Sequence, residues 1–386
     1  MLTYNLSTDP KYILNFIEKN GGEARLVGGC VRDYLLGREI KDIDIATTLL
    51  PEDIKRIFTK EKIKVIPTGI DFGTVTVLYK NIPYEVTTLR SDINCDGRHA
   101  AVKFTTDFKI DSERRDFTFN ALYMDNKGRI YDFHNGQEDL KKGIVRFIGN
   151  AEERIKEDYL RILRYFRFFA RFSTGDYLES ELAAVVKNKN GLKKISTERI
   201  RVEFLKTITQ PQALKALKTM EEEGFLEILT GIKHFGIKHL LVNNNPILVL
   251  ASILPLENFD NAVEKISERL KLSKKEKNFL QRLGASLKLD FSDKYQVNNS
   301  ARINGKEEFL DYLILNYFKN NIESTLFTSL TNEILHLDIP DFPLKSADLI
   351  KLGYKGKALG EALRNAEEIW ERSGYKMKAN EILKGF

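Results

Sequence analysis

Strand-like sequence is confined to about the first 140 residues, and this change of texture constrains the fold more than any other feature of the chain. The segment "GTVTVLYKNIPYEVTTL" is rich in β-branched residues, and a polar turn at Asn81 predicts a hairpin within it. Helical patterns then continue to the C-terminus, with interruptions predicted at Asn188–Gly191, Asn243–Pro246 and Asn298–Gly305. Because 386 residues suffice for two or more domains, we predict an α+β protein with an α/β head and a helical body in several parts.

Composition and charge set only broad limits on function. The net charge of +6 is compatible with a polyanionic partner, and equally with a slightly basic protein that has none. The two cysteines, Cys30 and Cys95, stand in neither a CxxC pair nor a Cys/His cluster, so we expect no disulfide framework and no zinc site. The first residues lack the regions of a signal peptide, and no apolar run reaches membrane-spanning length. We therefore expect a cytoplasmic protein without a membrane partner.

Two nearly adjacent carboxylates lie in the alternating segment "KDIDIAT". On a strand, residues i and i+2 point to the same face, so Asp42 and Asp44 are predicted to project together. Carboxylates held this close repel each other unless a cation neutralises them, and their hard oxygens suit Mg²⁺. The solvent face of an amphipathic strand is the alternative interpretation. In the predicted hairpin, Glu85 either closes this site as a third carboxylate or is an exposed strand residue.

A glycine pair precedes the carboxylates, at the end of the short predicted strand "EARLVGG". The turn at Gly28 and Gly29 lets backbone N–H groups approach a phosphate, and Arg32, one helical turn further on, can add a charge-assisted contact. A tight strand–helix turn that needs glycine for steric reasons is the alternative. The spacing fits neither the P-loop nor the dinucleotide fingerprint. We predict that the glycines and the arginine bind a triphosphate, and that the aspartates hold the metal that reacts with it.

An arginine-rich segment, "EDYLRILRYFRFFARF", predicts one helix over residues 157–172. Its apolar side chains share one face, and the opposite face gathers Arg161, Arg164, Arg167 and Arg171. Asp158 precedes Arg161 by three positions, which makes them neighbours on a helix. Such a pair could accept from the amino group and donate to the ring nitrogen of cytosine or adenine, and would reject uracil and guanine. A solvated basic face with a local ion pair is the alternative.

Taken together, these motifs resemble the tRNA nucleotidyltransferases that build the 3′-terminal CCA, in the class shared by bacteria and eukaryotes. The matching segments cover about residues 25 to 205 in the expected order: "LVGGCVRDYLLG…KDIDIAT", "TGIDFGTVTV", "EVTTLRSD", "DGRHAAVKF", "RRDFTFNALY", "YDFHNGQEDL", "EDYLRILRYFRF" and "STERIRVEF". The C-terminal half matches only loosely. The resemblance implies a nucleotidyltransferase head of the DNA polymerase β type with a small mixed sheet, followed by all-α domains. We expect the head at residues 1–140, a neck at 141–206, a body at 207–295 and a tail at 296–386.

The resemblance also implies roles for individual residues. It places Asp42 and Asp44 on Mg²⁺ as catalytic residues, with Glu85 as a further catalytic candidate. The nucleotide-binding residues that it implies are Gly28, Gly29, Arg32, Arg115, Asp116, Asn120, Asp158, Arg161, Arg164 and Arg167. Among these, Asp116 and Asn120 would lie near the ribose. Asp158 and Arg161 would be the protein template that selects C and A.

The activity implied is the template-independent transfer of two CMP and one AMP from CTP and ATP to the 3′ end of tRNA, with release of pyrophosphate. The body and tail would grip the acceptor end of the tRNA, and no obligate protein partner is evident. We expect "RSDINCDGRHAAVKF" to be a mobile loop that returns to a strand near Val102. In the family this loop accompanies full CCA addition. Two alternatives stay open: an A-adding enzyme or poly(A) polymerase, and a catalytically silent RNA-binding protein on the same scaffold.

Overall fold

The structure is a computed structural model that describes residues 8–40, 42–95, 100–235, 237, 240–338 and 340–386. Its contacts divide the chain into two compact units. The first unit comprises Met1–Ile237 with Arg269–Lys271, and the second comprises Lys238–Glu268 with Leu272–Phe386. The predicted boundaries between head, neck, body and tail stay predictions.

The described residues form nine β-strands, all of them in the first unit. In chain order these are β1 Ala24–Val27, β2 Ile43–Thr47, β3 Lys64–Gly69, β4 Thr74–Tyr79, β5 Ile82–Thr88, β6 Arg90–Cys95, β7 Ala100–Phe104, β8 Leu122–Met124 and β9 Ile130–Asp132.

The described residues also form twenty α-helices. Those of the first unit are α1 Thr8–Lys19, α2 Gly29–Leu35, α3 Pro51–Lys60, α4 Phe108–Glu113, α5 Gly136–Lys142, α6 Ala151–Glu157, α7 Leu160–Phe172, α8 Glu179–Lys187, α9 Thr197–Ile208, α10 Ala213–Glu222 and α11 Phe225–Thr230. Those that follow are α12 Pro246–Ile253, α13 Phe259–Arg269, α14 Lys274–Ser286, α15 Lys294–Asn304, α16 Lys306–Phe318, α17 Ser324–His336, α18 Ser346–Lys351, α19 Gly356–Arg372 and α20 Ala379–Ile382. The predicted α+β class, with strands early and helices later, is confirmed.

Seven of the strands form one mixed sheet in the order β3-β4-β5-β2-β1-β8-β9. Strands β2 and β5 are parallel, and the other neighbours are antiparallel. The predicted hairpin is confirmed as β4 and β5, and its two turn residues, Lys80 and Asn81, have φ values of 50° and 63°. Positive φ at both central residues matches the twist of a tight hairpin.

One apolar cluster joins the sheet to the helices beside it. Ile45, the inward residue of β2, is completely buried there, together with Ile13 of α1 and Phe58 of α3. Burial of Ile45 fixes the register of β2, because a shift by one residue would turn its apolar side chains out of the core. The carboxylates of the "KDIDIAT" segment are thereby set on the opposite side.

Three details of the secondary structure differ from the predictions. The predicted loop from Arg90 onward contains a two-stranded ribbon of β6 and β7, and only residues 96–99 of that segment lie outside the described residues. The predicted break at Asn298–Gly305 is wrong for its first part, because α15 runs to Asn304. Val297 and Ala301 are buried one turn apart on that helix, and their packing outweighs the weak helix propensity of the asparagines between them.

The arginine-rich segment is also not one continuous helix. Helix α6 ends at Glu157, and α7 begins at Leu160. Asp158 between them has an extended backbone with φ −150° and ψ 103°. Asp158 therefore lies at a junction, and the helical spacing that made it a surface neighbour of Arg161 does not apply there.

Candidate active site

A cavity of about 540 Å³ in the first unit collects residues from the sheet, from α2 and from α7. Its lining residues are Gly28, Gly29, Arg32, Asp42, Asp44, Arg115, Asp116, Asn120, Asp158, Arg161, Arg164, Arg167 and Phe168. The cavity thus brings together every site residue predicted from the sequence except Glu85, and it adds Phe168.

The two aspartates of the cavity lie at the start of β2. Asp42 immediately precedes the strand and Asp44 is its second residue. Strand β5 runs parallel to β2 and places Glu85 directly opposite Asp44. Burial and the negative charge of Glu85 raise the pKa of Asp44 to about 6, although Arg115 acts in the opposite direction. A carboxylate in these surroundings would be stabilised by a cation.

The role of Glu85 as a third carboxylate of the site stays a prediction. Glu85 is an exposed strand residue, and it lies next to Asp44 in register. Across the part of the chain that the structure describes, no group of three or more His, Cys, Asp or Glu side chains is arranged to hold a metal ion. The two aspartates nevertheless fit a hard cation that takes its remaining oxygen ligands from substrate and water.

The glycine pair forms the turn between β1 and α2. Gly28 has a φ of 71° and its N–H donates to the Leu122 carbonyl at 3.0 Å. A Cβ atom at this position would lie 3.4 Å from Nη1 of Arg115 and from the Asn120 carbonyl. The left-handed backbone and the close approach both favour glycine here. The turn therefore lies at the cavity wall and meets a steric requirement as well.

Arg32 is buried, with 5% of its surface exposed, and its donors have partners on both sides. Its Nη1 donates to Oδ1 of Asn120 at 2.6 Å, while its Nε and Nη2 donate to the Asp33 carboxylate at 3.1 and 3.2 Å. Asp33 also accepts from Arg171 of α7. A guanidinium has five N–H donors, so Arg32 keeps two for a ligand.

Asp116 links Arg32, through Asn120, to Arg164 of α7. Asn120 donates to Oδ1 of Asp116 at 2.9 Å, and Arg164 donates to Oδ2 through Nε at 2.7 Å. Burial by itself would raise the pKa of Asp116, but the charge of Arg164 and these hydrogen bonds lower it to about 2. A continuous chain of hydrogen bonds thus runs from Arg32 through Asn120 and Asp116 to Arg164.

Partners outside the cavity hold Arg161 and Arg167, two of the cavity arginines carried by α7. Arg161 donates from Nη1 to Glu157 at 2.7 Å and to the Arg154 carbonyl at 2.8 Å. Arg167 donates from Nε to Glu203 at 2.5 Å. The Arg161 and Arg167 side chains are each 12% exposed, so this part of the helix is not a solvated basic face.

Asp158 has a different partner from the one expected. Its Oδ2 accepts from Nη2 of Arg199 at 2.7 Å, and its Oδ1 accepts from the backbone N–H of Leu160 at 3.1 Å. The alternative of a local ion pair between Asp158 and Arg161 is therefore wrong. Both side chains still line the cavity, and each is held by a separate partner. Asp158 and Arg161 therefore do not occupy each other's hydrogen-bonding groups.

Several residues of this site were missed from the sequence. Phe168 lies on α7, between its apolar face and its arginine face. Its ring is buried, and the Arg167 guanidinium lies 4.1 Å from the ring centroid, which is a cation–π distance. Asp111 accepts from Arg115 at 3.2 Å and from the Tyr123 hydroxyl at 2.7 Å. Periodicity could not assign Phe168 to either face, and no local pattern marks Asp111.

Comparisons with known proteins bear on what this cavity belongs to. A family model described as the poly A polymerase head domain matches residues 24–146, and one described as a probable RNA and SrmB-binding site of polymerase A matches residues 179–232. The Danio rerio protein "CCA tRNA nucleotidyltransferase 1, mitochondrial" is 37% identical over 389 residues, which cover 96% of this chain and 88% of that protein. The chain belongs to the CCA tRNA nucleotidyltransferase family.

Other CCA tRNA nucleotidyltransferases align with this chain over nearly its whole length. The CCA-adding enzyme of Staphylococcus saprophyticus is 31% identical over 386 residues, covering 95% of this chain and 94% of that protein. The crystal structure of the Bacillus stearothermophilus CCA-adding enzyme in complex with CTP aligns with a TM-score of 0.78 and 28% identity, and covers 95% of this chain and 93% of that one. The resemblance drawn from the sequence motifs is therefore confirmed, and so is the fold class.

Two further observations apply to this CCA tRNA nucleotidyltransferase. Nucleotidyltransferases of this kind generally use a divalent metal ion, which agrees with the paired aspartates of the cavity. Among the helices of the described residues, none is both long and apolar enough to cross a membrane.

Proposed function

We propose that this chain adds C, C and A to the 3′ end of tRNA, using CTP and ATP and releasing pyrophosphate. One observation carries the proposal: a single cavity unites paired aspartates with two further Asp and five Arg side chains that can bind a nucleotide. These are the two parts that such a reaction needs, a centre for phosphoryl transfer and a surface that selects the base. The names of the relatives and the 28% identical structure bound to CTP support the same activity.

In the proposed reaction, the terminal 3′-hydroxyl of the tRNA releases its proton to solvent as its oxygen attacks the α-phosphorus of the bound nucleotide. The bond from the α-phosphorus to the bridging oxygen breaks, and pyrophosphate leaves with the electron pair. Arg32 and the backbone of the Gly28–Gly29 turn bind the triphosphate, as does Arg115. Because Asn120 and Asp33 hold the Arg32 guanidinium, its remaining donors are directed before the nucleotide enters.

Asp42 and Asp44 would hold Mg²⁺, and Glu85 would support them from the neighbouring strand. When bound, Mg²⁺ lowers the pKa of the attacking hydroxyl and balances charge on the leaving group. The carboxylates of this chain would supply hard oxygen ligands in the same cavity as the arginines that bind the phosphates. This arrangement would align the attacking oxygen with the α-phosphorus.

Base selection is assigned to Asp158 and Arg161. Asp158 accepts from the amino group of cytosine or adenine, and Arg161 donates to the adjacent ring nitrogen. Uracil and guanine present the inverse pattern, which would leave buried donors and acceptors unpaired, at a cost in binding. Arg164 and Arg167 would complete the nucleotide pocket. Asp116 and Asn120, which belong to the chain of hydrogen bonds from Arg32 to Arg164, would lie near the ribose.

The test is incubation of the full chain with tRNA ending before CCA, before CA and before A, with labelled CTP or ATP. We expect CMP on the first two substrates and AMP on the third. AMP addition to the third substrate alone would indicate an A-adding enzyme, and long A-tails would indicate a poly(A) polymerase. No incorporation by folded, tRNA-binding protein would indicate the silent RNA-binding alternative, which the paired aspartates disfavour.

A further inference from the structure

Helix α9 presents charges opposite to those of the nucleotide-selecting residues. Arg199 in its first turn contacts Asp158, and Glu203, four residues later, contacts Arg167 at 2.5 Å and Arg164 at 3.8 Å. Residues four apart share a helix face, so one face of α9 supplies a cation to the carboxylate and a carboxylate to the two cations. Neither Arg199 nor Glu203 is among the residues that line the cavity.

The contacts of Asp158 fix the direction of its carboxylate. The Leu160 N–H binds Oδ1 and Arg199 binds Oδ2, so both oxygens are anchored. Each carboxylate oxygen has two lone pairs, and each therefore keeps one for a further donor. Asp158 lies in the extended junction between α6 and α7, outside either helix. The Leu160 N–H is therefore one anchor of its carboxylate, and Arg199 is the second.

We propose that Arg199 is a positioning residue for nucleotide selection, acting through Asp158. It holds the carboxylate so that the free lone pair of Oδ2 meets the amino group of cytosine or adenine. The proposal rests on the proposed function, since Asp158 must read a base for its direction to matter. Arg199 would contact neither the nucleotide nor the tRNA end.

The decisive variant is Arg199→Met, which keeps the length of the side chain and removes its donors. The measurement is kcat/KM for CTP and for UTP on tRNA ending before CCA. We expect the CTP-to-UTP ratio to fall by about tenfold or more, because Asp158 loses its fixed direction. Arg199→Lys, which returns a cation, should recover part of the ratio. Lys206→Met removes an exposed cation from the same helix and should leave the ratio unchanged.

A double-mutant comparison separates positioning from a general loss of structure. In an Asp158→Asn background, Arg199→Met should lower the ratio by less than twofold, since both changes disable the same contact. Equal effects in both backgrounds would overturn the proposal, and so would an unchanged ratio in Arg199→Met. A uniform loss of rate for CTP and UTP, with the ratio kept, would also overturn it. Thermal midpoints accompany each assay, and Arg199→Gln repeats the measurement should Arg199→Met not fold.

The same experiment distinguishes this inference from the proposed function. If the unchanged protein incorporates neither CMP nor AMP, the proposed function fails. If it incorporates both and selects against UTP, while Arg199→Met selects equally well, only the role of Arg199 fails.

Discussion

Asp44 shows how strongly single side chains are constrained in this cavity. It lies at the cavity wall beside Asp42, with Glu85 opposite it on the next strand. Burial and the adjacent negative charge raise its pKa to about 6. In the absence of a cation, the ionised carboxylate of Asp44 lowers the stability of the fold. A bound cation would relieve this unfavourable interaction, which favours cation binding at Asp44.

Replacing Asp44 by asparagine should therefore separate activity from stability. We expect Asp44→Asn to lower CMP incorporation by about 10³-fold or more, because one of the two aspartate ligands is lost. The thermal midpoint should stay the same or rise, since a repulsive charge is removed. Incorporation at the unchanged protein's rate in Mg²⁺ would contradict the assignment, and Asp71→Asn, at an exposed position outside the cavity, is the matched control.

The pair Asp158 and Arg161 should control which base is chosen, with less effect on whether transfer occurs. In the double variant Asp158→Ala/Arg161→Ala, we expect the ratio of kcat/KM for CTP over UTP to fall by about 10²-fold or more, since each broken polar pair costs roughly 1–3 kcal/mol. The rate should fall as well, because a poorly held base misplaces the α-phosphate. A slower enzyme that keeps its preference for C and A would show that the template lies elsewhere.

Asp116 should stabilise the fold in a pH-dependent way. Its pKa is lowered to about 2 in the folded protein, below the ordinary value of 3.8. A lowered pKa gives stability that is fully present above the unfolded value and is lost as the pH falls from about 4 to about 2. We expect roughly 2 kcal/mol of the free energy of unfolding to disappear over that window. Urea unfolding at several pH values should show a flatter acid limb for Asp116→Asn, and equal slopes would contradict the prediction.

Among the elements, those with a regular period were predictable and the junctions were not. Strand β2 follows from alternation, and its register follows from burial of Ile45. Strands β4 and β5 follow from their β-branched residues and the polar turn at Asn81. The break before α7 was missed, because the segment keeps a helical period through Asp158 while the backbone there is extended. The identity of the site residues followed from short motifs, but the Asp158–Arg199 pair joins residues 41 positions apart, which no local pattern reveals.

The ribbon of β6 and β7 is the element for which a role in the second stage of the reaction is predicted. Residues 96–99, which follow β6 and precede β7 in the sequence, lie outside the described residues. We expect shortening of residues 94–99 to leave CMP addition nearly normal and to impair AMP addition, because the family resemblance links this segment to full CCA addition. Single-turnover rates on tRNA ending before CCA and before A measure the two steps. Equal loss of both additions, or of neither, would count against this role.

At the scale of the whole molecule, the sequence was more informative about the first unit than about the second. The motifs cover about residues 25 to 205, whereas the relatives align over nearly the entire chain. Helices that bind an RNA by its shape and phosphates need charge and spacing, and leave no short motif. The predicted cytoplasmic location stays a prediction.

Binding of tRNA by the whole chain should depend strongly on salt. The net charge is +6, and contacts to phosphates release condensed counterions from the RNA. We expect the Kd for tRNA to rise by about tenfold or more when KCl is raised from about 50 to about 200 mM. The CTP-to-UTP ratio measured at saturating tRNA should not change, since it depends on buried hydrogen bonds. A Kd that is independent of salt would contradict binding of the tRNA through its phosphates.

The five arginines of the cavity all have partners within the protein before any nucleotide arrives. These partners are Asp33 and Asn120 for Arg32, Asp111 for Arg115, Glu157 for Arg161, Asp116 for Arg164 and Glu203 for Arg167. Their conformational entropy is therefore lost when the chain folds, at up to about 2 kcal/mol for each side chain. The nucleotide therefore meets a preorganised wall, and its binding does not have to include the cost of ordering flexible arginines.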